Sequence, residues 1–185
     1  MDLYDYHKDP QSLYKYSDLH NPEEQKKLDA FWENVKEYQN KGKGLYVIAS
    51  KPDYSYQYAR YTGKRFPDGE AAIARTEYWA YAYAKDIIKG EFPEAEPIIA
   101  KDPYVALDYA KYIIKGRFPE GEKVISILPI TAREYAIDVI KGRFPSAEER
   151  MKKYPESWKK YTTFLKSKGI DIWTYTPSTM TQNLY

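Results

Sequence analysis

The side chains capable of acid–base, metal or nucleophilic chemistry are few. The chain has no cysteine and only two histidines, His7 and His20, each placed two residues after an aspartate, Asp5 or Asp18. Imidazole and carboxylate groups are common metal ligands, so these triplets suggest a weak metal site. No third strong ligand stands at a diagnostic spacing, and the simpler interpretation is two exposed histidines in a terminal segment. We therefore expect no metal, no cofactor and no catalytic residue.

A second set of ionisable side chains recurs every 26 residues. The repeated acids are Glu70, Glu96, Glu122 and Glu148, and the repeated cations are Lys64, Arg65, Lys89, Lys115, Arg117, Lys141 and Arg143. The acids suit the first turn of a helix, where the dipole favours negative charge. The cations could follow a phosphate backbone or an acidic partner. The alternative, which the net charge of +2 favours, is that they cap their own helices and pair with the adjacent acids.

Tyrosine gives a stronger binding signal, since it accounts for 21 of 185 residues. Within residues 54–61 and 77–83 the rings fall on more than one helical face, and one helix cannot bury every face. Tyrosine and tryptophan are enriched at interface hot spots, so we expect a partner surface in this N-terminal half. Ordinary packing between repeats is the alternative. The predicted partner-binding residues are Tyr54, Tyr56, Tyr61, Tyr78, Tyr81, Lys89, Lys115, Arg117, Lys141 and Arg143.

These side chains lie on a repeating unit of 26 residues. The same interval separates Phe66, Phe92, Phe118 and Phe144, and a proline follows each of them. It also separates Gly90, Gly116 and Gly142, and Tyr83, Tyr109, Tyr135 and Tyr161. A register kept by so many residue types indicates tandem copies of one supersecondary unit.

The clearest copy, residues 101–126, predicts a pair of helices. Asp102 before Pro103 is typical of a helix start. Apolar residues then recur at intervals of three and four, which predicts a buried face on a first, longer helix: Ala106, Tyr109, Ala110, Ile113 and Ile114. We expect Gly116 to end this helix in the left-handed conformation. Pro119 then begins a short second helix.

The pattern predicts an all-α fold, an α-solenoid of tandem two-helix repeats with degenerate terminal caps. Residues 1–50 form an N-terminal helical cap, 51–153 the repeats, 154–173 a C-terminal capping helix and 174–185 a flexible tail, within one cooperative domain. The first copy is looser and lacks one residue before Gly63. We expect no signal peptide and no membrane span, and a cytoplasmic location.

The unit resembles a short helical repeat of tailed-bacteriophage proteins, in which a Tyr-Ala pair precedes an IIKGRFP corner and a glutamate. The resemblance covers roughly residues 51–153, with Glu91 and Lys64 as departures from the corner pattern. It implies a phage accessory protein acting in the cytoplasm of the bacterial host. The group has no common activity that would carry over.

Surface chemistry and the lack of catalytic groups favour a non-enzymatic protein–protein interaction module. We expect its partner to be a protein, either of the bacterial host or of the phage, and the module to modulate or inhibit that partner. The alternative is a nucleic-acid-binding protein that uses the repeated cations and stacking tyrosines.

Overall fold

The computed structural model describes residues 44–171 and the single helical positions Lys26, Ala30, Glu33 and Glu37. The chain divides into two compact units, Met1–Ile48 and Ala49–Tyr185. The described residues form helices and no strand, so the predicted all-helical fold is confirmed. Both histidines and the predicted tail at 174–185 lie outside the described residues.

Long and short helices alternate from residue 52 onwards. In chain order, the helices are α1 (Gly44–Ala49), α2 (Pro52–Thr62), α3 (Pro67–Ile73), α4 (Glu77–Tyr83), α5 (Glu96–Ile99), α6 (Pro103–Asp108), α7 (Pro119–Ile125), α8 (Pro129–Glu134), α9 (Pro145–Met151) and α10 (Pro155–Ser167). Helices α4, α6 and α8 continue without a break into π-helical segments, Ala84–Ile88, Tyr109–Ile114 and Tyr135–Ile140. A 3₁₀ turn, Pro93–Ala95, precedes α5.

The repeat in the sequence is also a repeat of packing. Each of the long helices α2, α4, α6 and α8 contacts the next long helix in the series, which ends at α10. Each short helix packs against the long helix before it in its own copy, as α7 packs against α6 and α9 against α8. The buried face of one copy is therefore covered partly by the following copy.

Most of the predicted core residues are buried, but Ile113 and Ile114 of the predicted buried face are only half-buried. The corner phenylalanines are 1–5% exposed, and Tyr83, Tyr109, Tyr135 and Tyr161 are fully buried. Tyr109 lies against Phe118, with 5.3 Å between the ring centroids. The start of α6 is also as predicted, because the Asp102 carboxylate accepts hydrogen bonds from the Tyr104 and Val105 amides at 2.9 Å.

The π segments explain why the first copy is one residue shorter. Helix α2 runs from Pro52 to a left-handed Gly63, whereas the third copy runs from Pro103 to a left-handed Lys115, which adds one residue. A single inserted residue converts part of an α-helix into a π-helix. The backbone hydrogen bond at the end of the long helix is longer in sequence by one residue. In the first copy the Lys64 amide donates to the Ala59 carbonyl, five residues back, and in the third copy the Gly116 amide donates to the Ala110 carbonyl, six residues back.

One prediction about the helix ends is wrong. The left-handed residue is the lysine before each glycine, with φ of 57°, 56° and 55° at Lys89, Lys115 and Lys141. Gly116, predicted to have this conformation, does not have a positive φ. In the first copy the two residue types are exchanged, so that Gly63, at φ 64°, occupies the left-handed position.

We predict that Lys115→Gly stabilises the protein. A left-handed conformation costs an L-residue about 1–2 kcal/mol, and glycine adds about 0.5–1 kcal/mol of chain entropy to the unfolded state. The free energy of unfolding in urea should therefore rise by about 0.5–1 kcal/mol. Gly116→Ala tests the entropy of glycine by itself: its backbone is not left-handed and its added Cβ would lie 3.8 Å from the nearest atom, so the free energy of unfolding should rise by about 0.4–1 kcal/mol. A loss of stability in Lys115→Gly would contradict this account.

Candidate interaction surfaces

The corner of each repeat is fastened to the following copy by buried hydrogen bonds. In the third copy the Phe118 amide donates to the Tyr135 hydroxyl at 2.7 Å, and that hydroxyl donates to Glu122 Oε1 at 2.9 Å. Arg117 holds the same carboxylate with two hydrogen bonds, of 2.7 and 2.8 Å. We call this arrangement the corner clasp. It joins the end of one long helix to the next long helix.

The clasp recurs at all four corners. The phenylalanine amide donates to the tyrosine hydroxyl, and that hydroxyl to the glutamate, in the sets Phe66–Tyr83–Glu70, Phe92–Tyr109–Glu96 and Phe144–Tyr161–Glu148. Arg65 and Arg143 bind their glutamates as Arg117 does. Glu91 replaces the arginine in the second copy, where the tyrosine–glutamate distance is 3.0 Å.

The electrostatics of the clasp reflect its burial and its hydrogen bonds. Burial raises the pKa of Tyr83 to about 12, and it also raises the pKa of Tyr135 and Tyr161. The hydrogen bonds from Arg65 hold the pKa of the Glu70 carboxyl below its usual range, although burial acts in the opposite direction. At neutral pH the clasp of the first copy therefore contains a neutral Tyr83 phenol and a charged Arg65–Glu70 pair.

These contacts assign a structural role to some of the predicted site residues. Arg117 and Arg143 are engaged with the adjacent acids, which is the alternative that the net charge favoured. Lys89, Lys115 and Lys141 stand at equivalent helix ends with exposed side chains. The structure thus separates the predicted row of cations into paired arginines and exposed lysines.

The predicted tyrosine surface is partly core. Tyr56 and Tyr81 are only 5% and 6% exposed, so the expectation that their rings meet solvent or a partner is wrong. The Tyr56 hydroxyl donates to Asp86 at 2.6 Å, and its ring lies 5.2 Å from that of Trp79. These contacts link α2 to the long helix of the second copy.

The other three predicted tyrosines are more exposed than Tyr56 and Tyr81. Tyr54 and Tyr78 are half-buried, and Tyr78 packs edge-on against Trp79 at 4.6 Å. Tyr61 is 63% exposed. Of the predicted aromatic surface, Tyr61 is therefore the ring that offers the most area to a partner.

Sequence reasoning missed an apolar surface farther along the chain. Ile127 and Ile130, on either side of the start of α8, are 44% and 51% exposed. Tyr154, just before α10, is 54% exposed, and Tyr112 is 43% exposed. The signal was available in the sequence, because the residues at the position of Ile127 in the connections before α4, α6 and α10 are cations: Arg75, Lys101 and Lys153.

A partly buried carboxylate lies on the long helix of the third copy. Burial raises the pKa of Asp108 to about 6, against the opposing effect of Lys111 and Lys85, while Glu134 and Asp102 add to the rise. The folded state thus holds this proton more tightly than the unfolded chain does. The resulting stabilisation is complete below the ordinary aspartate pKa and is lost as the pH rises through about 6.

We predict that Asp108→Asn stabilises the protein at pH 7 by about 1–2 kcal/mol, because it removes the cost of a partly desolvated charge. Urea unfolding at pH 7 and pH 5 measures the effect, and the difference from wild type should shrink at pH 5. The exposed Asp68 is the control, since Asp68→Asn removes a charge that the start of α3 favours and so should not stabilise the protein. Equal differences at both pH values would show that the effect does not come from this proton.

Within residues 44–171, no group of three or more histidine, aspartate or glutamate side chains could hold a metal ion. None of the helices in this part of the chain is both long and apolar enough to cross a membrane. Comparison of the chain with protein-family models, curated proteins and solved structures gives no match.

Proposed function

We propose that this chain is a non-enzymatic interaction protein, an α-solenoid whose outer surface binds another protein. The observation that carries the proposal is the exposure of Tyr112, Ile127, Ile130 and Tyr154 beside a core that buries the corner rings almost completely. Exposed apolar side chains scattered singly need no explanation. Three of these four lie at the starts of two contacting long helices, α8 and α10, and grouped exposure of this kind is typical of binding sites.

The corner clasp supports the same proposal by accounting for the repeated polar residues. The glutamates and buried tyrosines that recur in every copy are used in hydrogen bonds between copies. The corner arginines, where they occur, hold the glutamate of their own copy. Such groups maintain the fold and are not available as a row of catalytic carboxylates. Residues that differ between the copies are therefore a better guide to function than the residues that recur.

The resemblance of residues 51–153 to bacteriophage repeats supports a more specific proposal. The chain would act in the bacterial cytoplasm as a phage accessory protein that binds a host or phage protein and modulates or inhibits it. Affinity purification of the tagged, folded chain from bacterial lysate tests this, with nuclease treatment to remove nucleic acid. We expect one protein in stoichiometric amount. Recovery of no such protein would contradict the proposal.

Binding of nucleic acid is the second candidate, and the exposed lysines at three equivalent helix ends favour it. Replacing Lys89, Lys115 and Lys141 by glycine removes these cations while suiting the left-handed backbone, so weaker binding would not reflect unfolding. If the lysines bind phosphates, wild type should bind single- or double-stranded oligonucleotides at low salt. The slope of log K against log salt should then fall in magnitude by about 0.7–0.9 for each phosphate that the variant no longer neutralises. Absence of binding by wild type would eliminate this candidate.

A further inference from the structure

The four connections that lead into the long helices α4, α6, α8 and α10 differ in one respect. They read Arg-Thr-Glu-Tyr at 75–78, Lys-Asp-Pro-Tyr at 101–104, Ile-Leu-Pro-Ile at 127–130 and Lys-Tyr-Pro-Glu at 153–156. Three begin with an exposed cation. The third connection begins with an exposed isoleucine and has apolar residues at both sides of its proline.

The exposure of the isoleucines, and not the absence of a helix cap, distinguishes this connection. Asp102 caps α6 through two backbone amides, but Thr76, Leu128 and Tyr154 all make no side-chain cap on their helices. Ile127 and Ile130 are 44% and 51% exposed, so core packing does not account for isoleucine at these positions. A departure from the local rules without compensation inside the fold is typical of a functional site.

The surroundings of this connection are basic. Lys101 and Lys153 are exposed at the positions equivalent to Ile127 in the preceding and following copies, and Lys123 is exposed on α7. Arg150 donates to the Ile127 carbonyl oxygen at 3.1 Å, which places its guanidinium beside the isoleucine. Three acids near this connection pair with cations close to them in the sequence: Glu134 with Arg133, Glu149 with Lys152 and Glu156 with Lys160.

From this arrangement we propose that Ile127, Leu128, Ile130 and Tyr154, here named the apolar connection surface, bind an acidic, extended segment of a partner protein. The inference rests on the proposed function and specifies the partner's chemistry. Apolar side chains of the segment would lie against the isoleucines and Tyr154. Its carboxylates would lie near Lys101, Lys153 and Arg150. Charge complementarity of this kind favours encounter and excludes basic competitors.

The spacing of the helices gives the expected sequence pattern of the bound segment. Packed helices lie about 8–10 Å apart, so Lys101 and Lys153 should flank Ile127 at about that distance. An extended chain advances about 3.3 Å per residue. The segment should therefore carry acidic residues about three positions before and after its apolar anchor. A second copy of this chain is a poorer occupant, because it would place like charges opposite one another.

A peptide selection tests the surface directly. A library of random linear peptides is selected on the folded wild-type protein and counter-selected on the variant Ile127→Lys/Leu128→Asp/Ile130→Glu. Each introduced residue occurs at the same position in another connection of this chain, so the variant should unfold at the same denaturant concentration as wild type or at a higher one. Selected peptides should be rich in aspartate and glutamate around an apolar anchor. They should bind the variant about tenfold more weakly or worse, as measured by fluorescence anisotropy.

Several results would overturn the inference. They are the recovery of no binding peptide, the recovery of basic peptides, and equal binding of acidic peptides to wild type and variant. Sedimentation of both proteins tests the second copy as occupant, and self-association of wild type alone would replace the acidic segment with it. Repeating the lysate capture with the variant separates the two proposals. A partner retained equally by both proteins would leave the interaction function intact and refute this surface.

Discussion

Replacing Phe118 by alanine should lower the free energy of unfolding by about 3–5 kcal/mol, because the ring is almost fully buried and its removal leaves a cavity. The ring packs against Tyr109 of its own copy, and its backbone amide belongs to the clasp that holds Tyr135 of the next copy. The substitution should therefore affect the packing within one repeat and the joint to its neighbour. Urea unfolding monitored by circular dichroism measures it.

Tyr112→Ala is the matched control for this experiment. It removes an aromatic ring from the same copy, but the ring is 43% exposed. Its cost should be clearly smaller, about 1 kcal/mol or less. If Phe118→Ala also cost less than about 1 kcal/mol, the corner phenylalanine could not be a core residue. The buried joint between the copies would then be refuted.

Tyr135→Phe should destabilise the protein by about 1–3 kcal/mol although it removes a single oxygen atom. That oxygen accepts from the buried Phe118 amide and donates to Glu122, so its removal leaves a donor unsatisfied and the carboxylate less well held. The aromatic ring and its packing stay in place. Chemical denaturation of wild type and variant gives the difference in stability.

The hydroxyl of Tyr112 provides the control for the clasp. Tyr112→Phe removes the same atom from an exposed ring, where water replaces any hydrogen bond that the hydroxyl made, and should change stability by less than about 0.5 kcal/mol. Combining Tyr135→Phe with Glu122→Gln should cost less than the sum of the single changes, because both act on one network. Strictly additive effects would show that the hydrogen bond contributes nothing to the joint.

The parts of the fold that follow from local rules could be read from the sequence. The spacing of Ala106, Tyr109 and Ala110 predicts the buried face of α6, and Asp102 before Pro103 predicts its start; both are observed. The clasp could not be derived in the same way. Its members recur in register, but a shared period does not reveal which hydroxyl meets which amide across two copies.

Two predictions from the sequence, the left-handed conformation of Gly116 and the exposure of Tyr56 and Tyr81, are wrong for physical reasons. Left-handed glycine was expected at Gly116 because glycine adopts that conformation without strain. The left-handed residue lies three positions before the corner phenylalanine with or without a π segment, and in the third copy that position holds Lys115, with the glycine one residue later. Tyr56 and Tyr81 were expected at the surface because one helix cannot bury all of its faces. Neighbouring long helices pack together, and the added interface buries both rings.

The apolar connection at residues 127–130 was overlooked for a different reason. Repeats are recognised by the residues that are the same in every copy, and Ile127 is a residue that differs from its equivalents in the neighbouring copies. Aligning the four connections and looking for positions that differ reveals the apolar residues Ile127, Leu128 and Ile130. Their exposure does not follow from the sequence, because a leucine or isoleucine at a helix start can equally be buried.

Glu91 makes the joint between the second and third copies the weakest of the four joints. At the other three corners an arginine holds the glutamate that binds the tyrosine of the next copy. Here Glu91 stands in place of the arginine; burial raises the pKa of the Tyr109 hydroxyl, and Glu91 is near enough to raise it further. Under heat or mechanical load, the rupture should begin at this joint. The segments before and after it would then part as two blocks, rather than peeling away one helix at a time from either end.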